Sequence, residues 1–242
     1  MTTVHGTDVL TLGLEPEFRP LVRQALERSH LVSAPSAWLA RAATDGLELT
    51  RPVQVVPNFV DAARFRPGPK LAGRAPTLTH NSNFRSLKRV QDVVRIFERV
   101  RRVVRCELEL IGDGPERPSV EALVRELGLE AQVRFSGETV DVVPHLQAST
   151  VFLMPSEVES FGLAALEAMA CGVPVVTTPI PGAVELLTDP AWGRLAARDK
   201  LAIAIEVDEL LANPPARADV LRGAEPFSWE ANAAALVDYW RE

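Results

Sequence analysis

CELELIGDGPERPSVEALVRELGLEAQVRFSG, residues 106–137, reads as a strand, a turn, a helix and a second strand. CELELIG is a short run of alternating apolar and charged residues that stops at Gly112. PSVEALVRELGL carries Val120, Leu123, Val124 and Leu127 at helical spacing and stops at Gly128, a residue suited to a helix C-terminus. QVRFSG is short and β-prone again. Two short strands joined through a helix form a βαβ unit, and its strands run parallel.

The same alternation continues on both sides. Upstream, PTLTHNSN reads as a strand and LKRVQDVVRIFERVRR as an amphipathic helix. Downstream come a short helix VDVVPHLQ, a strand TVFLMP, a helix FGLAALEAMACG, a strand VPVVTTP and a further short strand GRLAA. LAIAIEVDELLAN and WEANAAALVDYW are closing helices. Residues 75–228 thus form a complete Rossmann-like domain, and 229–242 form a helix expected to pack back toward the N-terminal part. In residues 1–57, EFRPLVRQALERSH and SAWLARAAT are helices, while LVSAP and VQVVP are strands. These bury too little to stand alone and are expected to be the last part of a second α/β domain. NFVDAARFRPGPKLAGR, residues 58–74, is rich in Pro, Gly and charge and is expected to link the two.

The chain has 242 residues, a net charge of −6 and 47% hydrophobic residues, a globular composition with no basic run for nucleic acid. No apolar run reaches transmembrane length, and MTTVHGTDVL has no basic-then-apolar leader pattern. A cytoplasmic chain with no membrane or nucleic-acid partner is expected. Cys106 and Cys171 sit in apolar surroundings and read as reduced core thiols. His5, His30, His80 and His145 are scattered without ligand spacing, so no metal site is expected.

Open parallel sheets bind ligands where strands end, so the segment after each strand matters. SNFRSLKR brings Arg85, Lys88 and Arg89 to a helix mouth, where the dipole disfavours cations. A bound anion would reverse that balance; a solvated basic surface is the alternative. In IGDGPE, Gly112 and Gly114 either let the backbone approach a ligand or make a plain turn around Asp113. Position 117 is Arg117, so this is no dinucleotide fingerprint. ESFGLAALEAMACG, residues 159–172, is apolar nearly all round apart from Glu159 before the helix and Glu167 within it. Ser160, Phe161 and Gly162 are expected to open that helix with outward amides. Glu167 then lies ~9–12 Å beyond Glu159 at ~1.5 Å per residue, suiting two hydroxyl anchors on one elongated ligand. A capping glutamate plus a buried ion pair is the alternative. Thr177, Thr178 and Gly182 in TTPIPGAVE are expected on the same side, as phosphate donors or as a structural turn.

Glu159-SFGLAAL-Glu167 resembles the E-x7-E motif of retaining, two-domain GT-B glycosyltransferases of the sucrose-synthase-like family. IGDGPE, PSEVESFGLAALEAMACGVPVV and NFVDAARFRP match that family in order. HGTD at residues 5–8 and HNSNFRSLKRVQDVV at 80–94 narrow the resemblance to members that glycosylate L-malate in bacillithiol synthesis. The resemblance implies UDP-GlcNAc as donor, L-malate as acceptor and transfer with retention, and it favours a homodimer. It implies that Glu159 holds sugar hydroxyls, Glu167 the ribose, and Phe161, Gly162 and Leu163 the sugar or diphosphate, with Gly112 and Asp113 also on the donor side. It implies further that Lys88 and Arg85 neutralise the leaving diphosphate, His5 faces the sugar, and Thr7 and Asp8 lie near the acceptor. There is no Asp-x-Asp motif, so neither metal nor cofactor is expected. Asn83 stands where the family has an arginine, and Pro181 and Val184 interrupt its glycine-rich turn. The N-terminal domain is expected to be truncated relative to the family, which admits a non-catalytic UDP-sugar-binding fragment as the alternative.

Overall fold

The computed structural model describes residues 1–69 and 73–241. The N-terminal unit contains β1 (Thr2–Thr3), α1 (Thr7–Leu10), α2 (Arg19–Arg28), β2 (Val32–Ala34), α3 (Ala37–Leu47) and β3 (Gln54–Val55). Its strands pair in parallel in the order β1-β2-β3. Val4, Val9, Leu26, Val32, Leu39, Ala43 and Leu47 form its small core. Ser36 caps α3, its hydroxyl accepting the Leu39 N–H.

The second unit runs through β4 (Thr77–Asn81), α4 (Val90–Val100), β5 (Glu107–Ile111), α5 (Arg117–Glu126), β6 (Val133–Gly137), α6 (Val143–Ala148), β7 (Val151–Met154), α7 (Leu163–Ala170), β8 (Val175–Thr177), α8 (Pro181–Leu186), β9 (Gly193–Leu195), α9 (Lys200–Ala212), α10 (Arg217–Arg222) and α11 (Trp229–Arg241). All six strands are parallel, in the order β6-β5-β4-β7-β8-β9. The α/β fold and the parallel Rossmann-like sheet expected from the sequence are therefore present. Side chains alternate along the strands. Leu78, Leu108, Leu110, Leu153 and Val176 face a core with α4, α5 and α9. Phe152, Met154 and Val175 face the other core, with α6, α7, α8 and α10. Chain order reverses between β4 and β7, the topological switch point of the sheet.

Several elements differ from the sequence reading. The segment TPIPGAVE is not only a turn: Pro181 fixes the backbone at the first position of helix α8. Helix α7 begins at Leu163, and Gly162 precedes it at φ 95. Ser160, Phe161 and Gly162 therefore lie before the helix and do not open it. Within residues 58–74, positions 70–72 lie outside the described residues. Residues 58–69 lie against the second unit. Phe65 is in its core, Val60 N–H donates to the Phe227 carbonyl at 3.0 Å, and Arg217 donates to the Gly68 carbonyl at 2.8 Å. Asn232 of α11 donates to the Pro57 carbonyl, where the N-terminal unit ends. Residue 242, in the expected closing segment 229–242, is outside the described residues.

The GDG turn packs tightly against the backbone of the loop after β4. Gly112 has φ +110, and a Cβ there would lie 1.8 Å from the Ser82 carbonyl oxygen. At Gly114 a Cβ would lie 2.1 Å from the Asn83 carbonyl oxygen. The two loops can touch only because neither position has a side chain. Gly112→Ala is expected to destabilise the fold by about 2–4 kcal/mol. Gly46→Ala, late in α3 with open space around it, is expected to stabilise it by up to about 1 kcal/mol. Urea denaturation of both variants checks the contrast, and a Gly112→Ala loss below about 1 kcal/mol contradicts the packing argument.

Candidate functional site

Strand β4 leads into a loop that crosses the switch point. Phe84 is its anchor, fully buried in the core but held at φ 35, a left-handed conformation costly for an aromatic residue. Arg89 at φ 56 closes the loop before α4. Arg85 and Lys88 are thus presented from a segment bounded by two strained residues. The loop after β7 comes from the other side and brings Glu159 against Lys88, whose ammonium pairs with Oε1 of Glu159. Both side chains are largely buried, and the Ser156 hydroxyl also donates to Glu159 Oε1, at 3.1 Å. Arg89 departs from the expected anion cluster. It pairs with Asp92 and Glu157 and lines a separate small cavity with Arg198 and Lys200.

A cleft of about 360 Å³ lies between the two units, lined by His5, Gly6, Thr7, Leu10, Asn83, Arg85, Lys88, Glu159 and Ser160. A second cavity of about 380 Å³ adjoins it through the shared Asn83, Lys88 and Glu159, and adds His80, Ser82, Leu163, Ala164 and Glu167. A third, of about 480 Å³, shares Ser82, Asn83 and Glu167 and extends to Arg64, Gly112, Asp113, Thr139 and Val140. Together they make one continuous trough with Glu159 near one end and Glu167 in the middle. Because residues 160–162 are not helical, helix rise does not set the Glu159–Glu167 separation. The first helical amides belong to Leu163 and Ala164, and both residues line the central cavity.

Most of the expected site residues meet in this trough. Three do not line it. Phe161 is buried against Phe227 in an edge-on ring contact, and Gly162 is the turn before α7. Asp8 spends Oδ2 on the His5 N–H at 2.8 Å, shaping the loop that presents His5 and Thr7. Thr177 and Thr178 are not phosphate donors either. Their buried hydroxyls donate to the Met154 and Ser156 carbonyls. Gly182 packs on Phe161, where a Cβ would lie 2.6 Å from the Phe161 Cα. Sequence reasoning missed Arg64, His80, Ser82, Thr139 and Val140. Only position could have flagged them, since each stands at or just beyond a strand end or in the segment between the units.

Burial gives two glutamates opposite characters. Glu109 of β5 is buried, and burial alone would raise its pKa. Donation from Ser136 at 2.6 Å and His145 at 2.8 Å, with Arg134 at 3.1 Å, outweighs burial and lowers it. Glu167 has no such donors. Burial pushes its pKa up to about 7, opposed only by the charge of Arg64. A half-buried carboxylate left without donors on the wall of a trough is suited to ligand hydroxyls. His80 is also buried, and burial lowers its pKa to about 4 with help from the Lys88 charge. It is therefore neutral at pH 7. The Leu153 carbonyl can only accept, so Nδ1 carries the proton and Nε2 accepts from the Ser82 hydroxyl, both at 2.8 Å. Among the described residues, no group of three or more His, Cys, Asp or Glu side chains is placed to hold a metal ion. No described helix is long and apolar enough to cross a membrane.

Two α/β units facing each other across a trough, with the larger sheet's switch point on one wall, define a GT-B fold. Residues 61–225 match the family described as Glycosyl transferases group 1, and the chain belongs to that family. It is 36% identical over 220 residues to the N-acetyl-alpha-D-glucosaminyl L-malate synthase of Bacillus anthracis, covering 87% of this chain and 58% of that protein. It is 34% identical over 217 residues to a D-inositol 3-phosphate glycosyltransferase of Saccharomonospora viridis, covering 78% of this chain and 50% of the relative. The chain thus spans only half to three-fifths of these relatives. Among solved structures it resembles sucrose-phosphate synthase from Thermosynechococcus elongatus, with TM-score 0.84 and 26% identity over 99% of this chain and 66% of that one. It also matches Anabaena Alr3699/HepE, solved in complex with UDP and glucose, with TM-score 0.87 and 19% identity over 100% and 71% of the two chains. That second likeness concerns the fold alone.

The raised pKa of Glu167 makes stability depend on pH. Below pH 4.5 the carboxyl is protonated in both folded and unfolded chains and costs nothing. As pH rises from 4.5 through 7, the unfolded chain ionises first, so stability falls, by about 3 kcal/mol when complete. Glu167→Gln is expected to stabilise the protein by about 1–3 kcal/mol at pH 8 and by little near pH 4.5, as read by urea denaturation at both values. An equal effect at the two values would show that Glu167 is not perturbed.

Proposed function

We propose that this chain carries the donor half and part of the acceptor side of a retaining glycosyltransferase that moves N-acetylglucosamine from UDP-GlcNAc to the hydroxyl of L-malate. The observation that carries this reading is the Lys88–Glu159 pair at the switch point, facing His5 across the cleft and adjoining Glu167 in the same trough. The 36% identity to the L-malate synthase supports the substrates. The matches to D-inositol 3-phosphate glycosyltransferases make that phosphate the second acceptor to test.

In this reading the nucleotide lies along the central and outer cavities. Its ribose hydroxyls donate to Glu167, satisfying a carboxylate that has no hydrogen-bond donor among the described residues. The diphosphate lies at the amides of Leu163 and Ala164 and takes Lys88 as its counter-charge, with Arg85 beside it. Freed from Lys88, Glu159 accepts sugar hydroxyls. The acceptor enters between the units, near His5 and Thr7. Its oxygen attacks the anomeric carbon on the face from which the diphosphate departs. The carbon–oxygen bond to phosphate breaks, its electron pair stays with UDP, and the acceptor proton passes to a departing phosphate oxygen. Lys88, Arg85 and the helix amides replace a metal at the leaving group.

UDP release from UDP-GlcNAc, followed with L-malate and with D-inositol 3-phosphate, tests the reading. Turnover with L-malate supports it. UDP binding without turnover by either acceptor leaves donor binding as the chain's role, and absence of UDP affinity overturns the reading. Glu167→Ala is expected to weaken UDP binding by about 1–3 kcal/mol. Lys88→Ala is expected to lower turnover by about 10²–10³-fold. Hydroxyl donation must also pull the Glu167 pKa down. UDP binding at pH 7 is therefore expected to release a fraction of a proton, seen by calorimetry in buffers of different ionisation enthalpy and absent in Glu167→Gln.

A further inference from the structure

Helix α8 ends in a carboxylate that does not serve its own unit. Glu185 reaches over to the N-terminal unit and accepts two backbone N–H groups at the start of α3. Oε2 takes that of Ala37 and Oε1 that of Trp38, each at 2.8 Å. Beside it the Ser36 hydroxyl donates to the Ser160 carbonyl at 2.6 Å, next to Glu159. These bonds join residues more than a hundred positions apart.

We propose that Glu185 is a positioning residue: it docks the N-terminal unit on the larger one and thereby sets the His5–Thr7 loop over Glu159. Each step of the linkage is a contact. Gly182 at the start of α8 packs on the Phe161 backbone, so α8 is fixed to the segment that follows Glu159. Glu185, at the far end of α8, fixes α3. Helix α3 shares its core with Val4 and Val9, through Leu39, Ala40 and Ala43. Val4 and Val9 bracket His5–Asp8. The loop also meets the second unit directly, since a Cβ on Gly6 would lie 3.3 Å from the Ser160 Cβ. The first amides of a helix have no intrahelical acceptor, and the dipole there favours a carboxylate. Two orphan donors on one unit thus face a two-oxygen acceptor on the other. A carboxylate satisfies both, whereas a carboxamide keeps a single acceptor oxygen.

Because the first turn of α3 lacks intrahelical partners for these amides, their protection from exchange reports on Glu185 itself. Hydrogen exchange read by mass spectrometry on the full chain is the test, and it does not depend on the catalytic reading above. In Glu185→Ala, exchange at Ala37 and Trp38 is expected to accelerate at least tenfold, with faster exchange in the peptide covering residues 5–11. Peptides from β4, β5 and β7 are expected to stay unchanged, and UDP affinity to stay within twofold, because the nucleotide cavities belong to the second unit. Glu185→Gln, nearly isosteric, is expected to free one of the two amides and leave the other protected, and it decides the matter should the alanine variant not fold. Where transfer is measurable, kcat is expected to fall with KM for the UDP-sugar unchanged. Unaltered exchange at Ala37 and Trp38 overturns the docking role. Acceleration spread equally over both units overturns it too, since that is the signature of general destabilisation.

Discussion

Strands β4 and β7 pair side by side in parallel, yet the helices that follow them leave toward opposite faces of the sheet. Their two loops must therefore part from each other, and a crevice opens between them. Lys88 comes from one loop and Glu159 from the other. Helix α7 begins at the floor of the crevice and turns the side chains of Leu163 and Glu167, one helical turn apart, toward the same cavity. The small N-terminal unit closes the remaining side. Its His5–Thr7 loop is shaped by the Asp8 carboxylate and seated by the contact between Gly6 and Ser160.

That geometry rests on tightly packed backbone. The loop after β4 holds its cations in place through Phe84, whose strained backbone is offset by complete burial of the ring. Gly112 and Gly114 let the neighbouring loop approach within contact of the Ser82 and Asn83 carbonyls, closer than any side chain allows. Neutral His80 ties Ser82 back to β7. The loop is thus braced from the core, from β5 and from β7 at once, which fixes charged groups without flexible tethering.

Glu109 and Glu167 show opposite responses to burial. Glu109 is fully buried, and Glu167 is half-buried on the wall of the trough. Ser136, His145 and Arg134 all meet Glu109 at Oε1 and hold its pKa below the usual carboxylate value, although the buried Oε2 has no partner. Glu167 has no hydrogen-bond donor among the described residues and only the charge of Arg64 to oppose burial, which raises its pKa; in the proposed reading, ligand hydroxyls relieve that penalty.

Periodicity along the chain was enough to place nearly every strand and long helix, because apolar spacing follows directly from which face each element buries. The sequence also marked Glu159, Glu167, Lys88 and Arg85, since charges inside an apolar helix or at a helix mouth conflict with local rules. Local rules failed where a residue's role depends on a partner distant in sequence. His5 and Glu159 face the same cleft, Arg64 reaches the cavity of Glu167, and Glu185 finds α3 only because the two units pack against each other. Thr177 and Thr178 looked like ligand donors until the register of β8 on β7 gave their hydroxyls to the Met154 and Ser156 carbonyls. Spacing in sequence sets which side of an element a residue occupies. Only the packing of elements determines what stands opposite it, and hydrogen bonds, burial and charge all depend on what stands opposite.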